Sequence, residues 1–335
     1  MRRGIEFGRR EVMLAGLATG LVTAVGLRTS HAKALVAGGT IAQTAALQAA
    51  LDAAANAGTP FFLPAGTYKT DRLILKSGTH IQGVPGRTVL VTDAHADGIL
   101  EISGADAVRL SGLVLDGGGI AFGEASALLT ATETTNLDIS DCRFLNSSVH
   151  GVFLRKSSGL IAHCEFGSIA KSAVSSEDGK DVEISHNIVD TAAMGISISG
   201  ISEGGRLAVV QGNHIRNLFH RKIGACGGVG IGVDADCSVT GNVIENAPAY
   251  GILVGGDDRP RKVTVTGNAI RTSHIGIGVS VTGNAGTAHI AENLIDGTKD
   301  GAIRGMQGPR PIGPDLARES AGTTGNLSVY ANVSR

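Results

Sequence analysis

Ser140-Asp141-Cys142-Arg143-Phe144, Ala162-His163-Cys164-Glu165-Phe166, Ser185-His186-Asn187-Ile188-Val189, Gln211-Gly212-Asn213-His214-Ile215, Thr240-Gly241-Asn242-Val243-Ile244, Thr266-Gly267-Asn268-Ala269-Ile270 and Ala291-Glu292-Asn293-Leu294-Ile295 are one string written seven times. The central positions 142, 164, 187, 213, 242, 268 and 293 lie 22, 23, 26, 29, 26 and 25 residues apart by subtraction. Self-similarity at such a period marks stacked repeats. Helix-pair repeats would hold a more constant length and show a 3.6-residue period, whereas coils of short strands lengthen at their turns without disturbing the stack.

A second register runs beside the first: Gly151-Val152-Phe153-Leu154-Arg155, Ala173-Val174-Ser175-Ser176-Glu177, Gly195-Ile196-Ser197-Ile198-Ser199, Gly230-Ile231-Gly232-Val233-Asp234, Gly251-Ile252-Leu253-Val254-Gly255 and Gly276-Ile277-Gly278-Val279-Ser280. In a strand the second and fourth positions share a face. Those positions, almost all apolar, should point into the coil and the third and fifth outward. The asparagine column reads as structural, with side-chain amides stacking and bonding along the axis at a turn.

Composition agrees with a solenoid. The 335 residues are 42% hydrophobic and 18% charged, with 49 glycines, 8 prolines and no tryptophan, enough to bury a continuous core and rich in tight turns. A formal net charge of −1 gives no global attraction to phosphate or anionic lipid, so no nucleic-acid partner is expected.

Arg2, Arg3, Arg9 and Arg10 precede an almost uncharged run from Val12 to Leu27, and Ala32-Lys33-Ala34 follows as an A-x-A cleavage site. Residues 1–34 therefore read as a cleaved signal peptide, with cleavage after Ala34 or, alternatively, after Ala32. The string Arg9-Arg10-Glu11-Val12-Met13-Leu14 resembles the twin-arginine export motif. It implies the twin-arginine translocase as a partner during export, a periplasmic or secreted location, and no membrane association once the leader is removed.

From Thr44 to Ala57 apolar residues recur at helical spacing and Asn56-Ala57-Gly58 supplies a stop. Leu63-Pro64-Ala65-Gly66-Thr67-Tyr68 and short β-rich runs come next. This order resembles the N-terminal segment of pectate-lyase-like proteins, and the whole chain resembles the twin-arginine-translocated repeat proteins within that superfamily. The resemblance implies an all-β fold, a right-handed parallel β-helix of about eight coils with an N-terminal capping helix. It forms a single domain over 35–335, with the cap and first coils in 35–100 and the repeat coils in 101–335. At the far end, Leu327 to Val333 begins a further coil 39 residues after Asn293, by subtraction to Asn332. An incomplete or weakly capped end is expected, with the Pro309–Pro314 stretch as a partial lid.

Chemistry is expected on the outward positions of the second register. His150, Arg155, Lys171, Glu177 and Asp234 should share one outward face, with Tyr250 at the His150 position in a later coil and the turn Leu218-Phe219-His220-Arg221-Lys222 overhanging it. Acids, bases and cations in one shallow groove suit cleavage or epimerisation of an acidic polysaccharide. Lys171 or His150 would abstract a proton, Arg155 would neutralise a carboxylate, and Glu177 or Asp234 would serve the leaving group or a bound cation. A solvated charged face, on a non-catalytic binder of glycan or envelope components, is the competing reading. No cofactor is required; Ca²⁺ on an aspartate cluster has no supporting motif. Cys142 and Cys164 share one column, as buried free thiols or as a disulfide, and Cys226 and Cys237 flank a glycine-rich insertion where a disulfide is also conceivable.

Overall fold

The computed structural model describes residues 43–92, 97–200, 207–221, 227–256, 261–282, 285–318, 322–324 and 326–335. The leader, Lys222, Cys226, Asp257 and Asp258 lie outside the described residues. Each coil of the repeat region presents three faces. The first carries short strands such as Leu137–Ser140, Gly159–Ala162 and Val182–Ser185. The second and third are seen separately in Arg143–Ser147 and His150–Arg155, and fused into single bent strands in Glu165–Glu177, Ile188–Ser199, Val243–Val254 and Ala269–Ser280. The first face is a 12-stranded sheet and the other two share an 18-stranded one, with strands pairing one coil onward.

The chain runs this way because inward residues stack on their equivalents. Val152 pairs with Val174, Val174 with Ile196, Ile196 with Ile231, Ile231 with Ile252 and Ile252 with Ile277. All six are buried. Phe144 and Phe166 stack inside the coil at 4.9 Å between ring centroids. The bend before the third face needs glycine: a Cβ at Gly230 would meet the carbonyl oxygen of Gly251 and lie 2.7 Å from Ile244 Cγ2.

At the first turn the asparagines form a continuous ladder. The main-chain N–H of Asn187, Asn213, Asn242, Asn268 and Asn293 donates to the side-chain Oδ1 of the asparagine one coil on, at 2.9–3.0 Å, ending at Asn332. Cys164 enters the same column by donating its N–H to Asn187 Oδ1 at 2.9 Å. Cys142, Cys164 and Cys237 are buried free thiols, so the disulfide alternative for Cys142 and Cys164 is set aside.

The helix Thr44–Ala57 buries Leu47 and Leu51, and ends at Gly58 in the left-handed conformation with φ 63°. Gln48 shows how it caps. Its amide accepts from Ile74 N and donates to Ile74 O, both at 2.8 Å, which satisfies backbone groups of the early strand Leu73–Leu75. The stack is longer than about eight coils: the first face carries eleven parallel strands, 12 less the antiparallel Gly322–Thr324. The extra early coils escaped the repeat count because Thr88 and Leu113, which pair with each other, stand in the column where later coils have cysteine and asparagine.

The far end is closed more fully than the repeats imply. Arg310–Asp315 folds back antiparallel onto Ile303–Gln307, and Gly322–Thr324 does the same on Leu327–Tyr330. Asp315 fixes the fold-back by accepting from Ala302 N, Ile303 N and Ala317 N at 2.9, 3.0 and 3.1 Å. Leu316 and Ala317 then pack against the core. Proline suits this place, since an outer edge strand needs few backbone donors.

Candidate functional site

The third face carries the expected residues in two groups. His150 opens its strand and Arg155 closes it, five residues or about 16 Å along. At the closing end Arg155 pairs with Glu177, Glu177 with Ser199 and Ser199 with Asp234, one per coil. Arg155 Nη2 lies 3.3 Å from Glu177 Oε2. Asp234 turns to the loop beyond it, accepting from Gly256 N at 2.5 Å and standing 3.8 Å from Arg261.

At the opening end the structure departs from a shallow exposed groove. His150 is 5% exposed. The charges of Lys171, Arg221 and Glu124 act on it. Glu124 lies in the connection 117–126 and Arg221 in the described residues 217–221 of another, the two connections entering the third face four coils apart in the order Ala127, His150, Ser172, Met194, Val229, a separation of about 19 Å. The first loop is pinned by Gly119 N to Asn146 O at 3.1 Å and Phe122 N to Ser148 Oγ at 2.8 Å. The second is pinned by Phe219 N to Ala192 O at 3.1 Å and Gly228 N to Ala193 O at 2.6 Å. They meet in a two-point ion pair: Arg221 Nη2 donates to Glu124 Oε1 at 2.8 Å and Nη1 to Oε2 at 3.1 Å. Lys171 Nζ donates to the Glu124 carbonyl at 3.1 Å.

His150 is neutral near pH 7. Burial first, then the charges of Lys171 and Arg221, lower its pKa from an ordinary 6.5 to about 4, against the smaller opposing pull of Glu124 and of a hydrogen bond with the Ser172 backbone. Among the described residues its Nδ1 has no hydrogen-bond partner. The hydrogen bond from Arg221 holds the Glu124 carboxyl below its usual range and raises Arg221 in return. Phe153 joins the two groups: its ring stacks on His150 at 5.4 Å and lies 5.3 Å from the Arg155 guanidinium carbon.

His150 and Lys171 are thus brought together, Arg155 and Glu177 are brought together, and Asp234 shares the Glu177 column two coils away. Tyr250 lies in the His150 column, by way of Ser172, Met194 and Val229, but four coils off. Arg221 meets Glu124 and its charge acts on His150. Glu124 was missed, since its partner is 97 residues away and no local pattern marks it. Among the described residues no group of three or more histidine, cysteine, aspartate or glutamate side chains converges to hold a metal ion.

A parallel solenoid with side chains gathered on one outward face defines a class, and the comparisons agree with it. The model of the right-handed β-helix region matches residues 118–295, more than half of the chain, and the chain belongs to that family. No curated protein matches it. Among solved structures it is similar to the tailspike protein of E. coli bacteriophage HK620 in complex with pentasaccharide, at 14% identity and TM-score 0.57, over 80% of this chain and 57% of the tailspike. It is also similar to the Streptococcus pneumoniae surface protein and adhesin PfbA, at 13% identity and TM-score 0.55, over 81% of this chain and 87% of that one. The chain spans little more than half the length of the tailspike. At these identities the likeness is one of fold.

Proposed function

We propose that the protein is exported by the twin-arginine route as a member of the twin-arginine-translocated repeat proteins, and acts on an acidic polysaccharide or envelope glycan by taking the proton beside a uronate carboxylate, as a lyase or an epimerase. The observation that carries this reading is His150, buried and neutral, with an unpartnered Nδ1 and the charges of Lys171 and Arg221 acting on it. Leaving a buried polar atom unsatisfied costs about 1–3 kcal/mol, which an uncommitted face has no reason to bear. Lys171 and Arg221 would neutralise the uronate carboxylate and the charge that spreads onto it as the proton leaves. Pairing of those cations with substrate also removes part of what depresses His150, so the base strengthens as the complex forms. In elimination, the C–H electron pair becomes a C=C bond, the glycosidic C–O bond breaks, and the departing oxygen takes its proton from protonated His150 or from water. In epimerisation His150 keeps the proton it takes, and water on the opposite face delivers another to the carbon.

Arg155, Glu177 and Asp234 lie too far along the strand to share that bond, and are assigned to a neighbouring sugar unit. No cofactor is required, because lysine and arginine supply the charge that Ca²⁺ would otherwise bring. Screening the mature protein against acidic polysaccharides for the ultraviolet absorbance of unsaturated product tests the lyase form, and proton–deuterium exchange beside the carboxylate tests the epimerase form. A second reading, non-catalytic binding, is favoured by the engaged state of Arg155, Glu177 and Asp234. Binding without product or exchange would select it.

Arg155→Ala and Glu177→Ala should each cost no more than about 1 kcal/mol in stability, since the pair is exposed. Each should weaken glycan affinity by about tenfold, because hydrogen bonds to charged groups carry more than neutral ones. Calorimetric titration checks this; unchanged affinity in both would remove that end of the face from the site. For export, Arg9→Lys with Arg10→Lys should block translocation, because the pair is read by a receptor and not as charge alone. Periplasmic accumulation of the double variant would refute the route.

A further inference from the structure

We propose that the Glu124 carboxylate is a built-in stand-in for the substrate's carboxylate: it occupies Arg221 near His150 and is displaced by an incoming uronate through carboxylate exchange. This rests on the uronate reading above and adds how the site opens and which group it selects.

Four observations support it. The contact has the fork-to-fork geometry by which arginine recognises a carboxylate, with both oxygens engaged at 2.8 and 3.1 Å. The two partners are unequally placed. The Arg221 side chain is 19% exposed and so held in the wall, whereas that of Glu124 is 70% exposed and free to swing outward. The second cation, Lys171, bonds the Glu124 main-chain carbonyl instead of the carboxylate, and its charge still acts on His150. Finally, His150 is 5% exposed and its Nδ1 is unpartnered, so a polymer reaches that atom only once the side chains around it move. An ordinary structural ion pair would explain the first observation but not the unpartnered acceptor near it.

Exchange has a chemical corollary. A ligand carboxylate replaces Glu124 on Arg221 with little change in hydrogen bonding, so opening is cheap for a uronate. A neutral sugar offers no such replacement and must break the ion pair outright.

The test is calorimetric titration of the mature protein with a uronate oligosaccharide and with its carboxyl-reduced neutral counterpart. Glu124→Gln should bind the uronate about tenfold tighter than the parent, since the internal competitor for a charge-assisted site is gone, and the neutral oligosaccharide should tighten as well, having no ion pair left to break. Glu124→Ala should behave alike, and Arg221→Gln should lose the preference for the acid. Diethyl pyrocarbonate should modify His150 faster in both Glu124 variants than in the parent. Equal or weaker uronate binding in Glu124→Gln and Glu124→Ala, with the parent still binding, overturns the stand-in and leaves the glycan face intact. Binding of neither oligosaccharide by any variant overturns both.

Discussion

His150→Gln is expected to lower turnover of an acidic polysaccharide by about 100-fold or more, the usual loss when a general base is removed. Glutamine keeps approximate size and polarity but cannot accept and release a proton at neutral pH. Stability at pH 7 should fall only modestly, by the Ser172 contact and the stacking on Phe153 that glutamine does not reproduce. The acid side of the stability curve should change more. In the parent, the folded pKa of about 4 lies below the ordinary 6.5, so between those values the unfolded chain binds the extra proton. Stability contributed by this group is therefore full above about pH 6.5 and falls as pH drops toward 4, by about 3 kcal/mol over that span. His150→Gln should lack that component. Urea denaturation at pH 7 and pH 4.5, beside initial rates, reads both effects. Undiminished turnover in a folded variant would remove His150 from the chemistry.

Asn242→Ala should cost about 3–5 kcal/mol and is expected to be the most damaging change in the repeat region. Asn242 Oδ1 accepts from Asn213 N and Nδ2 at 3.0 and 2.9 Å, and its own Nδ2 donates to Val210 O and Asn268 Oδ1, both at 3.0 Å. The residue is completely buried. Truncation leaves several buried backbone and amide groups without partners at about 1–3 kcal/mol each, partly relieved by relaxation or an entering water. Asn242→Asp should not rescue it. The acceptor survives, but the donor to Asn268 is replaced by a second oxygen and a buried charge. The denaturation midpoint at unchanged slope reports the loss; a shift below about 1 kcal/mol would mean the ladder is ornamental.

The solenoid was legible because each coil contacts its neighbours along the chain, so its requirements are rewritten every 22 to 29 residues. The inward pair Val152 and Leu154, the turn asparagines and the glycine of each bend all answer local demands, and local demands leave local patterns. The Arg155, Glu177 and Asp234 column followed from the same register, since counting along a strand is enough to place a side chain on a face. Early coils were undercounted for the converse reason: Thr88 and Leu113 serve the turn column with different side chains. Thr88 does so by bonding Val84 N at 2.8 Å and Leu63 O at 3.1 Å.

By itself, then, the sequence determined the coil, its inward core, its turn ladder, the capping helix and the outward face on which chemistry was sought. Tertiary structure alone decided that His150 is buried, that Glu124 meets Arg221, and that Arg310–Asp315 and Gly322–Thr324 fold back on the last strands. Those features come from the loops between strands, where the repeat imposes no composition and only the ends are positioned. Two such loops four coils apart touch because stacking brings their bases to the same edge of the third face, and no spacing rule in one dimension records that meeting.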